Sequence, residues 1–195
     1  MSNQWSKKQE AWSARFNEPI YEFWFRSIIN CYTGAWKIAN RETGKIGKPI
    51  FSLHNEMLQV QVIQLLFVAL IYLIFGFTIT LYFFMAAVFG ILLLESVNYI
   101  EHYGLIRKHL PGGKYERPMP EHSWNSDHLI GRLLLFELSR HSDHHYLASR
   151  KYQVLRHHDH SPQMPTGYPG MMILSLVPPL WFWVMNKRIK QLQGS

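Results

Sequence analysis

The apolar and polar positions divide the chain into three stretches. Residues 1–50 are polar to amphipathic. Tyr21, Phe23, Trp24, Phe25, Ile28 and Ile29 recur there at roughly helical spacing, and a charged stretch, Lys37 to Lys48, comes next. A helix packed on its own domain and a helix lying at a membrane interface both fit that spacing. Residues 58–75 form a nearly continuous apolar run, Gly76-Phe77 interrupts it, and residues 78–94 resume it. Each run approaches the ~20 residues needed to cross a bilayer core. The pattern predicts a tight transmembrane helical hairpin within residues 51–100. Residues 101–195 mix short apolar runs with histidine. One such run, Met171 to Met185, carries Pro178-Pro179 in its middle, which makes a poor spanning helix. Trp181, Phe182 and Trp183 suggest an interfacial or re-entrant anchor instead, with Lys187, Arg188 and Lys190 on the headgroups.

Charge orients this picture. No Lys or Arg lies between Pro49 and Ile106, and both flanks are basic. By the positive-inside tendency both flanks face the cytoplasm. The expected fold is therefore all-α: an integral membrane helical protein of the inner membrane, multi-pass, with a two-span hairpin and then a cytoplasmic His-rich region. The net charge of +7 could serve nucleic acid, a lipid bilayer or an acidic partner. Zinc-finger spacing, RNA-binding glycine signatures and base-reading basic helices are absent from the sequence, so no nucleic-acid partner is expected. Cys31 is the only cysteine, which excludes an internal disulfide and a Cys-based metal site. The polar N-terminus lacks the apolar core of a signal peptide.

The candidate chemistry lies in the histidines, of which there are eleven. His141, His144 and His145 stand at i, i+3 and i+4, one face of a helix. Three imidazoles in one small volume repel if protonated and need partners if neutral. A metal accepting one lone pair from each answers both problems. The apolar run Leu133 to Leu138 is expected to lead into this cluster as a helix with a buried face. On that helix Glu137 could hold the outer N–H of a ligand. Asp143 could do the same, or pair with Arg140 or Lys151. A second constellation, Asn98-Tyr-Ile-Glu-His102-Tyr-Gly104, falls where the second apolar run ends. Glu95, Asn98 and His102 share one face there. Imidazoles without Cys suit zinc, copper, iron or nickel, and spacing does not choose among them.

Asn98-Tyr-Ile-Glu-His-Tyr-Gly104 resembles the NYxEHYG signature of integral-membrane alkane monooxygenases. Leu138-Ser-Arg-His-Ser-Asp-His-His145 resembles the LQRHSDHH motif of that family, with Ser139 where Gln is usual. His122-Ser-Trp-Asn125 resembles its HSWNS stretch, and the segments Tyr152 to His157 and Pro162 to Tyr168 resemble the family's stretch after its last motif. The resemblance spans roughly residues 15–186. It implies O2-dependent hydroxylation of the terminal carbon of medium-chain alkanes, with electrons from a rubredoxin or ferredoxin. It also implies two Fe ions, with His102, His141, His144 and His145 among their ligands. Xylene monooxygenases and fatty-acyl hydroxylases and desaturases are related alternatives. Gly90, Phe84 and Leu92 could line a substrate channel or face lipid. The family's earlier HExxHK and EHxxGHH motifs do not occur here, and His54 matches neither. The ligand set is thus incomplete. A truncated product, a reading-frame fragment, or one half of a split enzyme partnered by the missing N-terminal half is expected, or else a non-catalytic fragment. His158 and His160 depart from the family pattern and are read as surface or structural residues.

Overall fold

The computed structural model describes residues 13–193 apart from 109, 111–115, 118, 135, 136, 138, 148 and 159. The side chains of Ile130, Leu134, His145 and Gln193 also lie outside that description. The described residues form helices joined by loops, with no strand among them. The helices are α1 (Ile20–Lys45), α2 (Glu56–His102), α3 (Leu129–Leu134), α4 (His141–Tyr146), α5 (Tyr168–Ser175) and α6 (Pro178–Gln193). The chain divides into two compact units, one of residues 26–94 and one of residues 1–25 with 95–195.

In the unit of residues 26–94, Asn55 starts α2. Its Oδ1 accepts the Met57 N–H at 3.1 Å, and its Nδ2 donates to Asn40 Oδ1 and the Ile50 carbonyl. This is the N-cap role that short polar side chains fill, because the first N–H groups of a helix have no partner within it. α2 is long and apolar enough to cross a membrane. It is broken at Gly76, whose φ of 76° and ψ of −178° are not helical. Only glycine enters that region without a Cβ penalty. The rings of Phe67 and Phe83 lie 5.8 Å apart. Sixteen residues of straight helix would separate them by about 24 Å along the axis, so the axis does not run straight across Gly76. The side chains around the break face outward: Leu73 is 79% exposed and Phe77 70%.

The other unit has a core. Phe23, Tyr99, Ile100, Tyr103, Trp124, Tyr168, Met171, Trp181, Met185 and Ile189 are all buried in it. Tyr99, Tyr103 and Trp181 pack in tilted and edge-to-face contacts with centroids 5.2–5.4 Å apart. The Pro178-Pro179 pair does not disrupt a helix. It begins α6, where the missing N–H costs nothing. Of the aromatics assigned to an interfacial anchor, Trp181 is in this core instead, and Trp183 is 79% exposed. Tyr103 Oη accepts the Asn17 N–H at 3.1 Å and donates to Asn186 Oδ1 at 2.8 Å. Asn186 Nδ2 closes the ring by donating to Asn17 Oδ1 at 2.7 Å.

Leu133 to Leu138 does not carry a helix into the His cluster. α3 ends at Leu134, and Glu137 has a left-handed φ of 62°. Its carboxylate explains the turn: it reaches back to accept Arg132 Nε and Nη2, each at 2.9 Å, a bidentate pair that a continuous helix would not allow. The rest of that apolar run, residues 135, 136 and 138, lies outside the described residues.

Candidate metal centre

The last turn of α2 carries Glu101 and His102. Gly104 terminates the helix with φ +68°, the C′ position where a left-handed residue is common. A Cβ there would also meet Ile189 Cδ1, so that side chain would have to shift to admit a larger residue. α4 begins at His141, and its start is tied down by Asn125, whose Oδ1 accepts the Ser142 N–H.

These two elements bring three donors together. His141 Nε2 lies 3.3 Å from His102 Nε2 and 3.1 Å from Glu101 Oε2. Ligand atoms of the three residues all fall within 4.8 Å of one another, and all three side chains are buried. Imidazole nitrogens bind transition metals at about 2.1 Å, and donors at that radius in tetrahedral or octahedral arrangement stand about 3.0–3.4 Å apart. That is the spacing found between these pairs. Imidazole and carboxylate together are also a donor set that iron accepts. The residues present therefore fit a metal such as iron. His102 Nδ1, the outer nitrogen, lies 3.5 Å from the His122 carbonyl.

Glu101 is the residue to which the sequence pattern assigns no role. Its side chain is 1% exposed, and its Oε1 accepts the Tyr168 hydroxyl at 2.9 Å. Burial pushes its carboxyl well above the usual range, with the Tyr168 bond opposing. Burial likewise raises the Tyr168 phenol. A carboxylate is tolerated at such depth when a cation, metal or hydrogen bonds compensate it. The signal available in sequence was weak: an acid beside a histidine at a helix end, with the decisive partner 67 positions away.

The other expected residues are dispersed. His144 is on α4 with its ring 6.0 Å from that of His141, and it is exposed. The His145 side chain lies outside the described residues. Glu95 is buried and Asn98 half-buried on α2. Glu137 faces Arg132 and Arg140 rather than an imidazole, and the Arg132 hydrogen bond holds its carboxyl below the usual range. Asp143 is fully buried. It accepts Arg150 Nη1 at 2.5 and 2.6 Å, His158 Nε2 at 2.7 Å and the Arg156 N–H at 2.9 Å. These partners replace the Arg140 or Lys151 expected from sequence. Burial raises the Asp143 carboxyl, but the Arg156, His158 and Arg150 bonds outweigh it and leave it lowered. His158 is thus half-buried and bonded to Asp143 on α4, while His160 is exposed.

Residues 4–175 match the profile of the fatty acid desaturase family. The chain belongs to that family. It is 43% identical to an alkane 1-monooxygenase 2 of Alcanivorax borkumensis, over 95% of this chain and 48% of that protein. It is 42% identical to an alkane 1-monooxygenase of Acinetobacter baylyi, over 91% of this chain and 43% of that protein. A xylene/toluene monooxygenase hydroxylase component of Pseudomonas putida is more distant, at 28% over 87% of this chain and 44% of its own length. This member of the desaturase family spans about half the length of the curated relatives it matches.

Proposed function

We propose that the chain forms the C-terminal part of a membrane di-iron monooxygenase that hydroxylates the terminal carbon of medium-chain alkanes. The observation that carries this is the convergence of His102 and His141, 39 positions apart, on one buried point beside Glu101. The names of the relatives at 42–43% identity supply the reaction class. In this reading His102, His141, His144 and His145 are iron ligands. Glu101 and Tyr168 form a buried pair that keeps an acidic group and a proton beside the metal. Iron held by these residues would supply the activation of O2, with one oxygen atom destined for the C–H bond and the other for water. The balance requires two electrons, which a rubredoxin or ferredoxin delivers from the cytoplasmic side, and two protons. Four His are too few for two His-ligated irons, so this reading requires ligands beyond these four.

The Gly76 break and the outward-facing apolar side chains around it support a helical hairpin that crosses the inner membrane twice. Basic residues flank that hairpin on both sides, which favours a cytoplasmic His-rich region. The test is co-expression of the chain with an N-terminal half carrying HExxHK and EHxxGHH. Octane oxidation is assayed in membranes supplied with rubredoxin and its reductase, with xylene as the competing substrate. Octanol formation, abolished together with iron loading by His141→Ala or His144→Ala, is expected. Xylene oxidation without octane oxidation would shift the assignment to the xylene branch. Iron-free membranes without either product would leave a non-catalytic fragment.

A further inference from the structure

His122-Ser-Trp-Asn125 supplies no ligand atom to the three-residue group, yet it is buried like a functional segment. Ser123, Trp124, Asn125 and the adjoining Ser126 are each 1% exposed. The His122 ring points elsewhere: Nδ1 accepts the Met119 N–H, and Nε2 lies 3.1 Å from Glu116 Oε1. The backbone is extended at Ser123, and Asn125 makes a parallel bridge with Gln163. Extended backbone sends successive side chains to opposite sides.

Trp124 and Asn125 use that alternation to grip two elements at once. The Trp124 N–H donates to the Glu101 carbonyl at 2.8 Å, and its indole N–H donates to the Tyr103 carbonyl at 2.9 Å. These are the carbonyls on either side of His102, at a helix end whose last acceptors have no partner within the helix. Asn125 grips α4. Its Oδ1 accepts the Ser142 N–H at 3.0 Å, and its Nδ2 donates to Ser142 Oγ at 2.6 Å. Ser142 directly follows His141. The Asn125 backbone is itself pinned, its N–H to the Pro162 carbonyl at 2.8 Å and its carbonyl by the Met164 N–H at 2.7 Å. An amide is suited to this clasp because it accepts at one atom and donates at the other.

We propose that Asn125 is a positioning residue that sets His141 against His102 and so fixes the geometry of a metal held by His102, His141 and Glu101. The proposal rests on reading that group as a metal site. Asn125→Leu removes both halves of the clasp while keeping the branching and the number of heavy atoms, with a bulkier side chain, and Ser142→Ala removes the hydroxyl half alone. Ser161→Ala is the control: it deletes a 3.0 Å hydrogen bond to the same Ser142 hydroxyl and leaves the clasp intact.

The experiment titrates Co(II) into the purified full chain in detergent and tracks its d–d absorption, with circular dichroism for helix content. Asn125→Leu is expected to weaken Co(II) binding about 10- to 100-fold, the usual cost of losing a group that orients a ligand. Its residual d–d band should shift, with helix content unchanged. Ser142→Ala should move the same way by less, and Ser161→Ala should match the unmutated chain. Unchanged affinity and band shape in Asn125→Leu would overturn the proposal, as would an equal loss in Ser161→Ala. If Asn125→Leu loses its helix content, Ser142→Ala decides: a shifted band supports the clasp and an unshifted one overturns it. An unmutated chain without a Co(II) band that His141→Ala removes would bring down the metal reading and this proposal together. A band that His141→Ala removes and Asn125→Leu leaves alone brings down this proposal only.

Discussion

Residues 56–94 and residues 95–193 obey opposite rules of burial. Along the first, Leu, Ile, Phe and Met side chains face outward on a helix with no buried apolar stripe. In the second, a core of aromatics surrounds groups that water would normally keep: Glu101, His102, Ser142 and Asp143 are all buried. Exposed apolar surface on that scale is costly in water and costs nothing in lipid. Buried polar groups are costly everywhere unless each is paired. The first region thus defines the solvent it requires. The second defines its partners one by one, and Asp143, Asn125 and Glu101 have them within hydrogen-bond distance.

The contrast breaks most visibly at Asp143. Asp143→Ala leaves Arg150 with no carboxylate in a half-buried position and removes the acceptor for the Arg156 N–H. About 3–5 kcal/mol of stability should go with it, read as a lowered unfolding midpoint in detergent. A loss below ~1 kcal/mol would mean that solvent reaches the cluster. The lipid-facing rule is tested at Leu66, in the middle of the apolar run before Gly76 and 66% exposed. Leu66→Arg should reduce membrane insertion of α2 by about 2.5–3.5 kcal/mol, the penalty for Arg at a helix centre in a membrane, measured with glycosylation reporters. The same change at a position exposed to water alters stability by only about 0.5 kcal/mol, so insertion unaffected by Leu66→Arg would refute a lipid environment.

Gly104→Ala forces a Cβ into left-handed backbone and against Ile189, at an expected cost of about 2 kcal/mol. Adding Ile189→Ala should recover none of the backbone part, so the double variant remains less stable than Ile189→Ala alone. Glu137→Gln has the smallest effect. Arg132 holds the folded carboxyl low, so its contribution is present above the unfolded value of about 4.3 and lost as pH falls through the folded value. At pH 7 the variant should be about 1 kcal/mol less stable, with the difference vanishing in acid. A pH-independent difference would assign the effect to shape rather than charge.

Sequence carried the local features well and the long-range ones poorly. The helical content and the interruption at Gly76 could be read from spacing, whereas the pairing of the motifs bearing His102 and His141 came only from the family resemblance. The turn at Glu137 could not, because an apolar run reads as helix until a bidentate Arg132 pair is known. Trp181 and Trp183 look alike in sequence, and only the packing of α6 on Tyr99 and Tyr103 separates them. Asp143 had two local candidates, Arg140 and Lys151, but its partners Arg150 and His158 depend on how the loop after α4 returns. Glu101 was visible inside a motif and still unassigned, since its meaning depends on Tyr168.

The three-membered ring of Asn17, Tyr103 and Asn186 bears on the order in which this region is made. Asn17 and Asn186 are 169 positions apart, and contacts of such separation form late because the intervening chain must first be ordered. On the ribosome, Asn17 and Tyr103 emerge well before Asn186. The Tyr103 hydroxyl and the Asn17 amide wait for α6 before the clasp can close. Nascent chains stopped before residue 186 should therefore leave the aromatic core open to protease, and those released after Gln193 should close it.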